Sequence, residues 1–265
     1  MKFSIVIPNY NSEKWIIRLL DSIKAQTYKD YEVIIVDDGS KDFSPEIIES
    51  YIFENYLKEQ FRFGYLMKKR WNGGTRNYGV EYSSGDYILF ADCDDYFYSE
   101  NVLQTLSDII DNEEPDCIRL PYRFEEVGTG NVMLKEKTPE ELVHSVFIAP
   151  WTKCIKRELF IPFPENTLIE DIVQHIAQCD VINTISLCPT PVMVWNRRNE
   201  NAISYSKRVY SKNSKRYSSI YRNTADLIDL ECKHEYCKEE RDKRLAIYLD
   251  KIHNSKEGEL VLFAW

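Results

Sequence analysis

Apolar residues fall at two spacings along this chain, and the switches between them mark its elements. Phe3 to Ile7 is a short β-branched run closed by Pro8, which predicts a buried strand. Beyond Ser12, a helix-capping residue type, Trp15, Ile16, Leu19, Leu20 and Ile23 recur at helical spacing. Glu32–Val36 predicts a second buried strand, ending at Asp37-Asp38-Gly39-Ser40. Ser44-Pro45 then supplies a cap and a proline at the first helical position, with Ile47, Ile48, Tyr51, Ile52 and Tyr56 as the buried stripe. Phe63 to Met67 is a third strand candidate. A glycine-rich turn at Asn72-Gly73-Gly74 leads into a short helix near Thr75 to Tyr82. Tyr87 to Ala91 is a fourth strand and runs straight into Asp92-Cys93-Asp94-Asp95, after which Val102, Leu103, Leu106, Ile109 and Ile110 mark the next helix. This β-α-β-α-β order predicts an α/β fold, a mainly parallel sheet covered by helices on both faces.

The second half is less regular. Cys117 to Phe124 predicts a strand, Thr138-Pro139-Glu140-Glu141 a helix start with capping-box spacing, Glu170 to Cys179 a helix, and Pro191 to Trp195 a strand. After about residue 206 strands vanish and Lys, Arg, Tyr and Ser rise. Two amphipathic helices, near 213–230 and 238–253, predict a helical C-terminal extension over 206–265.

Composition narrows the class. The chain has 265 residues, 43% hydrophobic and 29% charged, which suits a folded protein and excludes wholesale disorder. Lys and Arg total 34 against 43 Asp and Glu, a net charge of −9, so a broad nucleic-acid-binding face is not expected. No run of eighteen or more apolar residues occurs, and the opening MKFSIVIPNYN lacks the apolar core of a signal peptide. A cytoplasmic protein is expected, with peripheral membrane contact through the basic stretch 206–222 and self-association left open. Seven scattered cysteines predict reduced thiols. Cys232, His234 and Cys237 lack a second ligand pair at zinc spacing and are read as polar helix residues.

Three of the predicted strands end in polar clusters: Pro8-Asn9-Tyr10-Asn11, Asp37-Asp38-Gly39-Ser40 and Asp92-Cys93-Asp94-Asp95. Ligands of open α/β sheets bind beyond the carboxyl ends of strands, so the coincidence carries more weight than any one cluster. Asp92 and Asp94 alternate along an extended chain and point to the same side. Packed anions repel unless a cation lies between them, and a hard ion such as Mg²⁺ or Mn²⁺ takes oxygen ligands and bridges carboxylates to phosphates. The competing reading is an acidic turn that caps the next helix. Gly73 to Gly79 with Arg76 could approach phosphate, yet Val80 stands where a P-loop needs Lys. Glu170-Asp171 at a helix start stays ionised by the helix dipole, which suits a general base and equally a plain cap. Arg197 and Arg198 follow a strand and could neutralise a leaving phosphate. His144 and His175 are read as structural.

SIVIPNYN, then DSIKAQTYKDYEVIIVDDGSKD, then NGGTRNYGVEYSSGDYILFADCDD, resembles family 2 glycosyltransferases with the A-type nucleotide-sugar fold. The likeness continues in PWTKCIKRELF, IED and VWNRRNENAIS and covers about residues 1–205. It implies one glycosyltransferase A-type domain over 1–205, with a nucleotide-sugar half (1–115) and an acceptor half (116–205), before the extension. By the same resemblance Pro8, Tyr10, Asp38 and the adjacent Asp37 hold base and ribose. Arg76 stands near base and diphosphate, Asp92 faces the ribose, and Asp94, with Asp92, holds Mn²⁺ or Mg²⁺ on the diphosphate. Asp171 is the implied base, with Glu170 beside it. Asp95, Trp151 and Lys153 lie on the acceptor side, and Arg197 and Arg198 close over the diphosphate. Two departures, Trp71-Asn72 before the helix and Asn9 in place of a small apolar residue, are read as specificity differences.

The expected activity is therefore inverting transfer of a sugar from a nucleoside diphosphate donor, UDP-sugar preferred, to a hydroxyl of a glycan or lipid-linked acceptor. Two alternatives stand beside it. A sugar nucleotidyltransferase would carry a glycine-rich basic loop after its first strand, which Pro8-Asn9-Tyr10-Asn11 does not resemble. A non-catalytic nucleotide-sugar or glycan-binding protein would have no need of intact Asp92, Asp94 and Asp171.

Overall fold

The computed structural model describes residues 2–128, 131–136, 149–165, 170–179 and 181–196. The helix start at Thr138, His144, Arg197, Arg198, the Cys232–His234–Cys237 group and the extension over 206–265 lie outside the described residues.

The first half alternates β1 (Phe3–Asn9), α1 (Ile16–Lys24), β2 (Tyr31–Asp37), α2 (Ser44–Glu54), β3 (Phe61–Tyr65), α3 (Trp71–Glu81) and β4 (Tyr87–Phe90). After them come β5 (Tyr96–Phe97), α4 (Val102–Glu113), β6 (Cys117–Arg119), β7 (Tyr122–Gly128) and β8 (Asn131–Glu136). A tight turn at Pro150–Thr152 leads into β9 (Lys153–Lys156), followed by α5 (Glu170–Cys179), β10 (Ile185–Leu187) and β11 (Met193–Asn196). The main sheet has seven strands in the order β10-β6-β9-β4-β1-β2-β3. It is parallel except for β9, which runs against both β4 and β6. A second sheet of four strands, β5-β11-β7-β8, stands beside it.

β1 and β2 are buried along their whole length, so both faces of the sheet need apolar cover. Phe3, Ile5, Ile7, Val33, Ile35 and Leu89 join the core with α1, α2 and α4, while Val6, Ile34, Val36, Ile88 and Phe90 join Phe163 in a second cluster under α3. This is the two-residue period of a strand read out as two cores. α1 contributes Ile16, Leu19, Leu20 and Ile23, each fully buried, and each side chain stabilises the fold by about 1.5–3 kcal/mol relative to exposure.

Several local expectations are corrected. α1 begins at Ile16, not behind a Ser12 cap; the Ser12 carbonyl accepts the amides of Trp15 and Ile16, while its hydroxyl bonds Asn9. α2 includes Ser44, and Asp42 accepts both the amide and the hydroxyl of Ser44. Tyr56 is 93% exposed, in the left-handed region just past the helix, and leaves the buried stripe. The third strand is Phe61–Tyr65, set back from Phe63–Met67. Asn72-Gly73-Gly74 is the first turn of α3 and not a loop before it. The strand expected from Cys117 to Phe124 breaks at Leu120-Pro121 into β6 and β7, which belong to different sheets.

Candidate active site

The carboxyl ends of β1, β2 and β4 share one rim. Register pairs Asn9 with Asp37 and Val6 with Phe90. Buried Asn9 ties the first two strands together: its amide donates to Asp37 Oδ2 at 2.8 Å, and its oxygen accepts the Ser12 hydroxyl. This accounts for the polar residue where a small apolar one was expected. Asp37 also accepts the amides of Gly39 and Ser40, both at 2.9 Å, so its carboxylate shapes the loop from within. Gly39 turns that loop at φ +81, a conformation in which a Cβ is disfavoured. Pro8 is buried inside β1, whereas Tyr10, two residues on, is 40% exposed.

Asp38 is buried and turned toward α3. Its carboxylate accepts the amide of Arg70 at 2.6 Å and that of Trp71 at 3.0 Å. Burial raises its pKa, while those two amides and the Lys69 ammonium pull it back. The strand-end carboxylate thus caps the helix that carries Arg76. Gly73 lets α3 lie close to the segment before α5, since a Cβ there would sit 2.7 Å from the Pro164 carbonyl oxygen and 3.1 Å from Glu170.

Arg76 is 3% exposed and joins two elements. Nη2 donates to Asp92 Oδ1 at 2.7 Å and Nη1 to Glu170 Oε1 at 2.9 Å. Glu170 is buried in the first turn of α5, and desolvation, then the neighbouring Asp171 carboxylate, pushes its pKa up to about 7 against the pull of Arg76. Asp171 also acts on Arg76, raising its pKa further. Asp92 and Glu170, far apart in sequence, are therefore held through one guanidinium, and Asp171 is the next residue along α5.

The acidic segment divides by burial. Asp92 and Asp94 are partly exposed, whereas Asp95 is 1% exposed. Asp95 Oδ1 accepts the amide of Asn196 at 2.8 Å, which pins the end of β11 to the rim, and Oδ2 has no hydrogen-bond partner among the described residues. Desolvation, then Asp94 and Asp92, raises its pKa well above the ordinary carboxylate range. These all-oxygen donors suit Mg²⁺ or Mn²⁺. Among the described residues no three His, Cys, Asp or Glu side chains form a complete metal cage.

On the far side, Trp151 packs edge-on to Tyr122, ring centroids 5.0 Å apart, and lies 6.2 Å from Trp195. Lys153 is buried, with Nζ 3.3 Å from His175 Nδ1 on α5. Trp151 and Lys153, which the resemblance assigns to the acceptor side, are both buried. Sequence reasoning missed the Arg76–Glu170 pair, the Lys153–His175 contact and Lys69, whose ammonium lies 3.3 Å from the Tyr10 ring centroid. The only signal for Lys69 was its place in a basic run, Lys68-Lys69-Arg70, just ahead of the unexpected Trp71.

A mostly parallel α/β sheet with carboxylates and an arginine gathered at its strand ends, beside a small second sheet, defines an α/β protein that binds its ligand at that rim. The family described as "Glycosyl transferase family 2" matches residues 4–182, and the chain belongs to that family. It is 29% identical over 176 residues to the glycosyltransferase GlyG of Streptococcus pneumoniae, covering 59% of this chain and 57% of that one. It is 36% identical over 179 residues to a poly(ribitol-phosphate) beta-glucosyltransferase of Bacillus spizizenii, covering 63% of this chain and 27% of that one. The crystal structure of residues 1–349 of S. aureus TarS in complex with UDP-GlcNAc superposes with a TM-score of 0.70 at 27% identity, covering 94% of this chain and 72% of that one. The match thus spans well under two thirds of either curated relative.

Proposed function

We propose that this chain transfers a sugar, with inversion, from a nucleoside diphosphate donor to a hydroxyl of a glycan or lipid-linked acceptor in surface polysaccharide synthesis. UDP-sugar is the preferred donor, in line with the UDP-GlcNAc bound by the TarS relative. The carrying observation is the double ion pair of Arg76 to Asp92 and Glu170, which fastens the acidic end of β4 to the helix turn that bears Asp171.

In this reading Tyr10 and Asp38, flanked by Pro8 and Asp37, receive base and ribose. Asp94 and Asp92 would hold Mn²⁺ or Mg²⁺, which when bound supplies positive charge against the diphosphate. Asp171 takes the acceptor hydroxyl proton while that oxygen forms its bond to the anomeric carbon. The bond from that carbon to the diphosphate oxygen breaks on the opposite face, and its electron pair leaves with the nucleoside diphosphate, so configuration inverts. Arg197 and Arg198 offset charge on the departing group. Glu170 stays on Arg76 and orients the turn rather than taking the proton.

No helix among the described residues is long and apolar enough to cross a membrane. Work at the inner membrane face, with 206–222 in contact with lipid, fits a lipid-linked acceptor. The test is Asp171→Asn: UDP binding should persist, and transfer to an acceptor panel should fall at least a hundredfold. Transfer at the normal rate removes the base assignment, and a product that retains the donor's anomeric configuration by NMR removes the single-displacement mechanism.

A further inference from the structure

Lys69 covers one face of the Tyr10 ring. Its ammonium is 3.3 Å from the Tyr10 ring centroid and 5.6 Å from that of Trp71. The two rings come from different loops, one after β1 and one at the start of α3. Asp38 holds the second segment by the amides of Arg70 and Trp71, and Trp71 has φ +62, a conformation rarely adopted by a bulky residue. This conformation places Lys69 over Tyr10, and Tyr10 is 40% exposed. A separation of 3.3 Å is close to aromatic stacking distance, so an ammonium and a stacked base cannot share that face.

We infer that Lys69 is a specificity-determining residue that occupies the Tyr10 ring face and must be displaced for the donor's nucleobase to stack there. The inference rests on the donor reading above. A cation over an aromatic face is a real competitor, since its removal forgoes an attraction to the ring quadrupole. A nucleoside gives nothing back for that loss. A nucleoside diphosphate does, because its phosphates offer the displaced ammonium a new anion. Lys69 thus widens the gap in affinity between the charged donor and the uncharged nucleoside.

Calorimetric titration of the full chain with uridine and with UDP, at one fixed Mn²⁺ concentration, separates the two ideas. Lys69→Met should bind uridine about two- to fivefold tighter than the wild type, and its preference for UDP over uridine should shrink. Tyr10→Leu should weaken both ligands at least fivefold, by loss of about one stacked base. Uridine binding that Lys69→Met leaves unchanged or weaker overturns the inference, while a weakened UDP titration in Tyr10→Leu still upholds the donor reading. A wild type that binds no UDP overturns the donor reading and the inference with it. A second measurement needs no affinity change. The Lys69 Hε protons should resonate upfield under the Tyr10 ring current, lose that shift in Tyr10→Leu, and lose it in the wild type as uridine saturates. A resonance still shifted at uridine saturation overturns the proposal.

Discussion

Arg76 and Glu170, ninety-four positions apart, form a buried ion pair at 2.9 Å across the junction of α3 and α5. The same guanidinium holds Asp92 at 2.7 Å, so one side chain sets the distance between the acidic strand end and the helix turn of Asp171. A buried cation with two carboxylates is costly to assemble and costlier to leave half-assembled.

Arg76→Met should therefore destabilise the fold by about 3–5 kcal/mol, because Glu170 is left buried without its partner. Arg76→Met combined with Glu170→Gln should recover part of that loss. Denaturant unfolding of the single and double variants checks this, and additive losses would show that the two side chains do not interact.

Glu170 should make stability depend on pH. Its folded pKa of about 7 lies above the ordinary 4.5, so the folded state binds the proton more tightly than the unfolded one. Its stabilising share is complete below the unfolded value and is lost as pH rises through the folded value. Unfolding free energy should fall between about pH 4.5 and pH 7 by about 3 kcal/mol at most. Glu170→Gln should flatten that stretch of the profile, and a slope identical in wild type and variant would contradict it.

Much of the fold was legible because the strands are both-face buried and announce themselves as mostly apolar, β-branched runs: Phe3 to Ile7 and Glu32 to Val36 lie within observed strands, and Tyr87 to Ala91 overruns β4 by one residue. The helix stripes of α1 and α4 were equally plain, since Leu19, Leu20, Ile23, Leu103 and Leu106 are all buried. Boundaries failed where a tertiary contact outweighs local propensity. Asn72, Gly73 and Gly74 look like a turn, yet Asp38 caps the helix ahead of them and Gly73 fits against Pro164 and Glu170. Asp37 and Asp38 look alike in sequence, but one organises its own loop and the other caps α3. The Arg76–Glu170 pair joins segments that no spacing rule connects.

Asp38 should have two separable roles. As the acceptor for Arg70 and Trp71 amides it resembles a helix cap, so Asp38→Ala should cost about 1–2 kcal/mol of stability. Asp38→Asn keeps one acceptor oxygen but turns an NH2 donor toward the other amide, so it should recover only part of that stability. If Asp38 also faces the donor, both variants should weaken UDP binding. Thermal melts with and without UDP distinguish the two roles: a ligand-induced shift in Tm that survives in Asp38→Asn would limit this residue to capping.

Asp95 is a buried carboxyl of the rim, with Asn196's amide on one oxygen and no partner on the other among the described residues. Burial and the charges of Asp94 and Asp92 favour its protonated form. An amide matches a neutral acid in shape, so Asp95→Asn should hold stability within about 1 kcal/mol at neutral pH while keeping an acceptor for Asn196. Asp95→Ala instead strands that amide, at a cost of about 1–3 kcal/mol. The sign of the pH effect follows from the raised value: the acid's share of stability is lost as pH rises, so Asp95→Asn should gain on the wild type in alkaline buffer. Chemical unfolding without divalent ions, at neutral and alkaline pH, reads this directly. An Asn variant as unstable as the Ala variant at both would mean that Asp95 is ionised in the fold and held there by charge.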